Sequence, residues 1–203
     1  MFSQTIEPKT KRILDKIVSS GISAQFYLAG GTALAIHLGH RMSIDLDFFS
    51  RSDFSIEKIK KELSLLGDVV VNDQEDGTLN ASLDGVKISF LRYDYAQLYP
   101  YVVFENVNLA DERDIAAMKI DAASSRGSKK DFIDLYFLLE KYSLVELIVF
   151  FEKKFSDIKY NKLHILKSLV YFSDAEAEPM PMMLKEVSWQ KVKEKISQEV
   201  LRF

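Results

Sequence analysis

A chain of 203 residues that is 47% hydrophobic and 12% aromatic can bury a substantial core, and its length suits one or two domains. Cysteine is absent, which excludes disulfide frameworks, thiolate zinc sites and cysteine nucleophiles together. The net charge of −3 argues against a generally basic, nucleic-acid-coating surface, so any RNA or DNA contact has to be local.

The N-terminal stretch "MFSQTIEPKTKRILDK" lacks the apolar segment and small-residue cleavage site of a secretory signal. No uninterrupted apolar run approaches the roughly 18 residues of a membrane span. The expectation is a cytoplasmic protein without a membrane partner. "PKTKRILDKIVSS" carries Ile13, Leu14, Ile17 and Val18 at helical spacing, with Pro8 at its start and Gly21 past its end, and reads as an amphipathic helix. "QFYLAG" reads as a buried strand and "TALAIHL" as a short helix. "SIDLDFFS" reads as a strand in which Ile44, Leu46 and Phe48 alternate with Asp45, Asp47 and Phe49, so both aspartates fall on one face. "SIEKIKKELSLLG" is a second amphipathic helix. "DVVVND", "TLNASL" and "VKISFLRY" follow as strands, the last two joined by the hairpin signal Asp84-Gly85. Beyond "VNLADERD" the pattern turns helical, at roughly 112–125, 129–141, 144–155, 160–173 and 188–200, with Pro179 and Pro181 in a loop near 175–183. The fold class is therefore α+β: a small mixed sheet flanked by helices over residues 1–110, followed by an α-helical domain over 111–203.

Carboxylates at i and i+2 on a strand place their Cβ atoms roughly 6 to 7 Å apart, close enough to share a divalent cation through oxygen ligands. Asp45 and Asp47 have that spacing, which suits Mg²⁺ or Mn²⁺ and phosphoryl or nucleotidyl transfer. Gly30-Gly31 lets backbone approach a ligand closely, and Thr32 with the following helix N-terminus offers an anion site. Each element also has a plain structural reading: a turn for the glycines, a solvated strand face for the aspartates. Phe48-Phe49 tilts the second case towards a site, because that end of the strand is apolar on both faces. Ser43 either orients phosphate or starts the strand, and Arg41 either meets phosphate or forms a surface ion pair. His37 and His40, near a helix end, suit capping and surface positions.

Two blocks, "GGTALAIHLGHRMSIDLDFFS" and "KIDAASSRGSKKDFIDLYFLL", resemble the AbiEii/AbiGii nucleotidyltransferase toxins, a branch of the DNA polymerase beta-like superfamily. The resemblance covers about residues 26 to 140. It implies a nucleotidyltransferase core with an appended helical domain, an NTP substrate, a Mg²⁺ requirement and a cognate antitoxin of a type IV toxin–antitoxin or phage-defence system. It also implies an RNA acceptor, in some relatives the acceptor end of tRNA. On this reading Asp45 and Asp47 hold metal, Gly30, Gly31, Thr32 and Ser43 cradle phosphates, and Lys119 contacts the triphosphate. Arg126 is a neighbouring phosphate or RNA contact, and Lys129-Lys130 form a basic patch near the mouth. The plain alternatives are a snorkelling Lys119 and a solvated Arg126, Lys129 and Lys130.

The second block supplies an active-site carboxylate in that family, which implicates Asp131, with Asp134 as helper or orienter of a basic group. The structural alternative for Asp131 is a capping box with Ser128. The superfamily's third carboxylate is replaced here by Ser89, so Asp131 serves as general base, or Asp94 reaches in, or catalysis is lost. A non-transferring nucleotide-, RNA- or protein-binding module and a protein NMP-transferase are the other readings of the same residues.

Overall fold

The computed structural model describes residues 1–203. Helix α1 (Pro8–Ser19) starts where the Glu7 carboxylate accepts the Lys9 and Thr10 amides, and ends before Gly21, whose φ of +83° suits glycine. Strand β1 is only Tyr27–Leu28, shorter than the expected segment, because Gly30 already opens α2 (Gly30–Leu38). Strand β2 (Leu46–Ser50) begins one residue after Asp45, so the first aspartate stands on the approach to the strand and the second within it. Helix α3 (Ile56–Ser64), capped by Ser55, leads into β3 (Val69–Glu75), β4 (Thr78–Leu83) and β5 (Val86–Arg92). The β4–β5 turn has positive φ at both Asp84 and Gly85, as the hairpin signal requires.

A hairpin of β6 (Val102–Phe104) and β7 (Val107–Leu109) follows, turning through Glu105 and Asn106. It was not expected from sequence, since three-residue strands leave almost no alternation to read. The helical half comprises α4 (Glu112–Ser125), α5 (Lys129–Leu138), α6 (Leu144–Lys154), α7 (Lys162–Ser168), α8 (Ser173–Glu176) and α9 (Trp189–Arg202). The expected helix over 160–173 is thus the shorter α7 alone, and a turn of helix, α8, occupies the start of the expected loop. Asp111, Ser128, Ser143, Asn161 and Ser188 cap α4, α5, α6, α7 and α9.

The seven strands form one mixed sheet in the order β3-β4-β5-β2-β1-β7-β6. Strands β2 and β5 run parallel, as do β1 and β7, while β1 and β2 are antiparallel. Leu46, Phe48, Ile88, Phe90, Leu79 and Ala81 bury one face, and Phe48 stacks on Phe90 at 5.1 Å. The change from strands to helices falls between Leu109 and Glu112, yet a single continuous core runs from Ile6 to Ile196 across it. No helix is long and apolar enough to cross a membrane.

Candidate active site

The antiparallel turn-back from β1 to β2 sets the start of α2 beside the start of β2, and the Ala29 amide donates to the Asp47 carbonyl. Gly30 has φ +64°, and a Cβ there would sit 2.7 Å from Asp47 Oδ2. Absence of a side chain is what lets the Asp47 carboxylate lie against the first turn of α2. Gly31 plays the same part for Arg41, whose Nη2 would be 2.5 Å from an added Cβ. Thr32 Oγ1 donates to the Asp45 carbonyl and shares a 2.7 Å hydrogen bond with Ser43 Oγ, tying helix start to strand approach.

These residues form one wall of a cleft of about 440 Å³, lined by Gly31, Thr32, Ser43, Asp45, Asp47 and Arg41 on one side and by Lys119, Arg126, Ser128, Lys130, Asp131 and Glu178 on the other. No lining residue is apolar. The elements the sequence places far apart therefore converge: Asp45, Asp47, Gly31, Thr32, Ser43, Lys119, Arg126 and Asp131 all border the same space, with Gly30 beneath Asp47.

Behind the cleft lies a buried ionic cluster. Lys119 Nζ is 2.9 Å from Asp131 Oδ1 and 2.7 Å from Asp134 Oδ2. Arg41 donates twice to Asp134, from Nε at 2.7 Å and Nη2 at 2.9 Å, a bidentate pair that fixes the guanidinium plane. His40 Nε2 meets the same carboxylate at 2.7 Å. Arg126 is bidentate on Asp131, and the Ser128 hydroxyl donates to Asp131 Oδ2 at 2.7 Å. Burial alone would raise both carboxyls, but Lys119 and Arg126 hold Asp131 well below the usual range, and Arg41 and Lys119 do so for Asp134. Lys119 is raised in turn: burial pulls it down, and Asp134 and Asp131 outweigh that.

Asp45 and Asp47 differ from this cluster in having no cation within ion-pair distance. Burial, and then the charge of Asp45, raise the Asp47 carboxyl, against smaller opposing effects of Lys119, Arg126 and Ser89. No third acidic or histidine group joins the two. Ser89 pairs in register with Asp47, so a hydroxyl stands where a third carboxylate would.

Several expectations change. Asp131 is poorly placed as a general base, because both its oxygens accept from Lys119, Arg126 and Ser128, and its acidity is strengthened rather than weakened. Ser128 caps α5 through the Asp131 amide, but the reciprocal half of the expected capping box is missing, because Asp131 accepts the Ser128 hydroxyl and not its amide. Asp94 does not reach in: it is exposed and lies 3.6 Å from Arg92, beyond the far end of β5. His40 is fully buried rather than at the surface, and His37 Nε2 bonds the Ala110 carbonyl. Arg41 is buried on Asp134 rather than forming a surface ion pair. Lys129 turns away from the mouth to the carbonyls of Glu176 and Glu178, leaving Lys130 at the rim. Glu178 went unforeseen. It comes from the Pro-rich loop, its Oε2 accepting the Lys129 amide at 2.8 Å, and no local pattern marks it.

Comparison with known proteins agrees with this architecture. A protein of Aquifex aeolicus (strain VF5) is 39% identical over 204 residues, covering 98% of this chain and 97% of that one. Among solved structures, the nucleotidyltransferase toxin MenT4 of Mycobacterium tuberculosis H37Rv superposes with a TM-score of 0.60 at 13% identity, covering 94% of this chain and 82% of that chain. JHP933 of Helicobacter pylori superposes with a TM-score of 0.58 at 16% identity, covering 96% and 90%. Residues 12–202 match the family described as nucleotidyl transferase AbiEii toxin, type IV TA system. Matched over nearly its whole length, the chain belongs to this AbiEii family of nucleotidyltransferase toxins.

Proposed function

We propose that the chain transfers a nucleoside monophosphate from an NTP to an RNA acceptor, with a divalent cation in the cleft. The observation that carries this reading is the Asp45–Asp47 pair, without a cationic partner, facing the first turn of α2. Their donor set fits Mg²⁺ or Mn²⁺: two hard carboxylates leave the remaining positions to substrate phosphates and water. The lining also carries four cationic and four acidic side chains, so a polyphosphate meets no net positive field unless a cation is added. Asp45 and Asp47 would hold that cation, which when bound neutralises phosphate charge and polarises the α-phosphate.

The chain's own groups do the rest. Amides of the first turn of α2, with the Thr32 and Ser43 hydroxyls, take the outer phosphates. Lys119 and Arg126 flank them as fixed charges, held by Asp131 and Asp134, and Lys130 draws anions to the rim. Asp131 and Asp134 are thus positioning residues. Residues 1–110 supply the carboxylates and the phosphate turn, and residues 111–203 the flanking cations. The exposed Arg126 and Lys130 at the mouth support RNA as the acceptor. A cognate antitoxin follows from membership of a type IV toxin family.

The test is incubation with each radiolabelled NTP, Mg²⁺ and total RNA, beside Asp45→Ala. Label entering RNA with the parent chain only, and only with the cation present, supports the reading. Label in protein, or none in RNA, overturns it.

A further inference from the structure

The cleft is bounded by Asp47, but the polar row on which Asp47 stands continues. Asp47 pairs in register with Ser89 of β5, Ser89 with Asn80 of β4, and Asn80 with Asp73 of β3. Registered partners project from one face of a sheet. Burial agrees: Ser89 and Asn80 are partly exposed, whereas Leu79, Ala81, Ile88 and Phe90, which alternate with them, are buried. The row therefore runs away from α2 over an open face, one strand every ~4.8 Å.

The next step rests on the transfer reading above. In-line displacement puts the attacking and leaving oxygens on opposite sides of the α-phosphorus. With pyrophosphate leaving towards α2, the acceptor arrives from the opposite side of Asp47, where Ser89 and then Asn80 lie. We infer that Ser89 and Asn80 form the acceptor-hydroxyl site and that Asn80 positions the acceptor through its side-chain amide. A serine hydroxyl and an asparagine amide both donate and accept, and so hold a ribose hydroxyl without charge. Lys87, exposed two residues before Ser89 on the same face, supplies a cation for a neighbouring backbone phosphate.

During transfer the acceptor oxygen bonds to the α-phosphorus while the bond from that phosphorus to its bridging oxygen breaks. Pyrophosphate leaves with the electron pair, and the hydroxyl proton passes to water over the open face. The next carboxylate along the row, Asp73, stands beyond Asn80 and out of reach of the reacting hydroxyl. This surface orients the acceptor rather than deprotonating it.

The experiment measures labelling of total RNA by the parent chain, Asn80→Ala and Asn80→Thr at saturating NTP, with RNA concentration varied, and nucleotide binding by equilibrium dialysis. Asn80→Ala is expected to raise the RNA concentration for half-maximal rate about tenfold, the scale of one neutral hydrogen bond, with nucleotide binding unchanged. Asn80→Thr, keeping a hydroxyl on a strand-favouring side chain, recovers part of the loss. Asn80→Val, apolar but strand-favouring, gives the same split as Asn80→Ala if the alanine variant fails to fold. Parent labelling with an unchanged RNA dependence in the variants overturns the acceptor site alone. Absence of RNA labelling by the parent overturns the transfer reading and the acceptor site with it.

Discussion

Lys119 Nζ lies 2.7 Å from Asp134 Oδ2, with Asp134 sealed from solvent and Lys119 nearly so at the wall of the cleft. Asp134 answers Arg41 and His40 as well, so its removal strands several buried donors at once. Breaking a buried pair by deleting one partner costs about 3–5 kcal/mol. Asp134→Ala is expected to lower the thermal midpoint by about 10 °C. Lys119→Met should cost less, because Asp131 keeps Arg126 and Asp134 keeps Arg41. Thermal melts of the two variants check this, and an Asp134→Ala midpoint equal to the parent's would refute it.

Asp47 gives the opposite signature. Burial and the Asp45 charge raise its carboxyl, so its ionised form weighs against the fold at neutral pH. Asp47→Asn should melt at or above the parent temperature in chelator while losing transfer. A lower melting temperature together with residual transfer would mean that Asp47 is a structural group.

Gly30→Ala separates close approach from packing. Its Cβ would meet Asp47 Oδ2 at 2.7 Å, and φ is +64°. The backbone alone costs about 1–2 kcal/mol. Displacing the carboxylate should lower transfer on the order of a hundredfold, as a misplacement of ~1 Å does. Rate measurements on folded variant, confirmed by circular dichroism, decide it; near-parent rates would count against the close approach.

His40 sets a pH dependence. Burial holds its imidazole neutral below the ordinary value, with Asp134 only partly offsetting. Below about pH 6.5 the unfolded chain therefore takes up a proton that the folded chain refuses, and stability falls as pH drops from there towards the folded pKa. Asp131 and Asp134, both lowered, keep their contribution above about pH 3.9 and lose it only as pH falls through their folded values. Asp47 acts with the other sign, so the informative comparison is between variant and parent. The parent midpoint should decline between pH 6.5 and 5, and His40→Asn should flatten that slope. An equal slope in both would assign the decline to other groups.

What could be read from sequence followed the range of its signals. Asp45 and Asp47 were legible because a period of two puts them on one face, and Asp84-Gly85 because its turn needs positive φ at both positions. Lys119, Asp131 and Asp134 were singled out through the resemblance carried by the second block, while the burial of both aspartates was not legible, since they stand apart from the apolar positions of α5. The Arg41–Asp134 pair was not, since its members are 93 residues apart and each alone looks like a surface charge. Glu178 likewise owes its place to the Lys129 amide, a contact that no local pattern announces. The two-residue β1 and the β6–β7 hairpin fell below the length at which alternation can be counted.

The approach to β2 is also pinned from the far end of the chain. The Met42 amide donates to the Met182 carbonyl, and the Leu184 and Lys185 amides donate to the His40 carbonyl. Contacts of such separation form late, after the intervening chain is made. A chain that carries both aspartates but stops before Met182 therefore lacks these three backbone hydrogen bonds on the approach to β2. Chains ending at residue 175 should be cut by protease between residues 39 and 46, where the full-length protein resists.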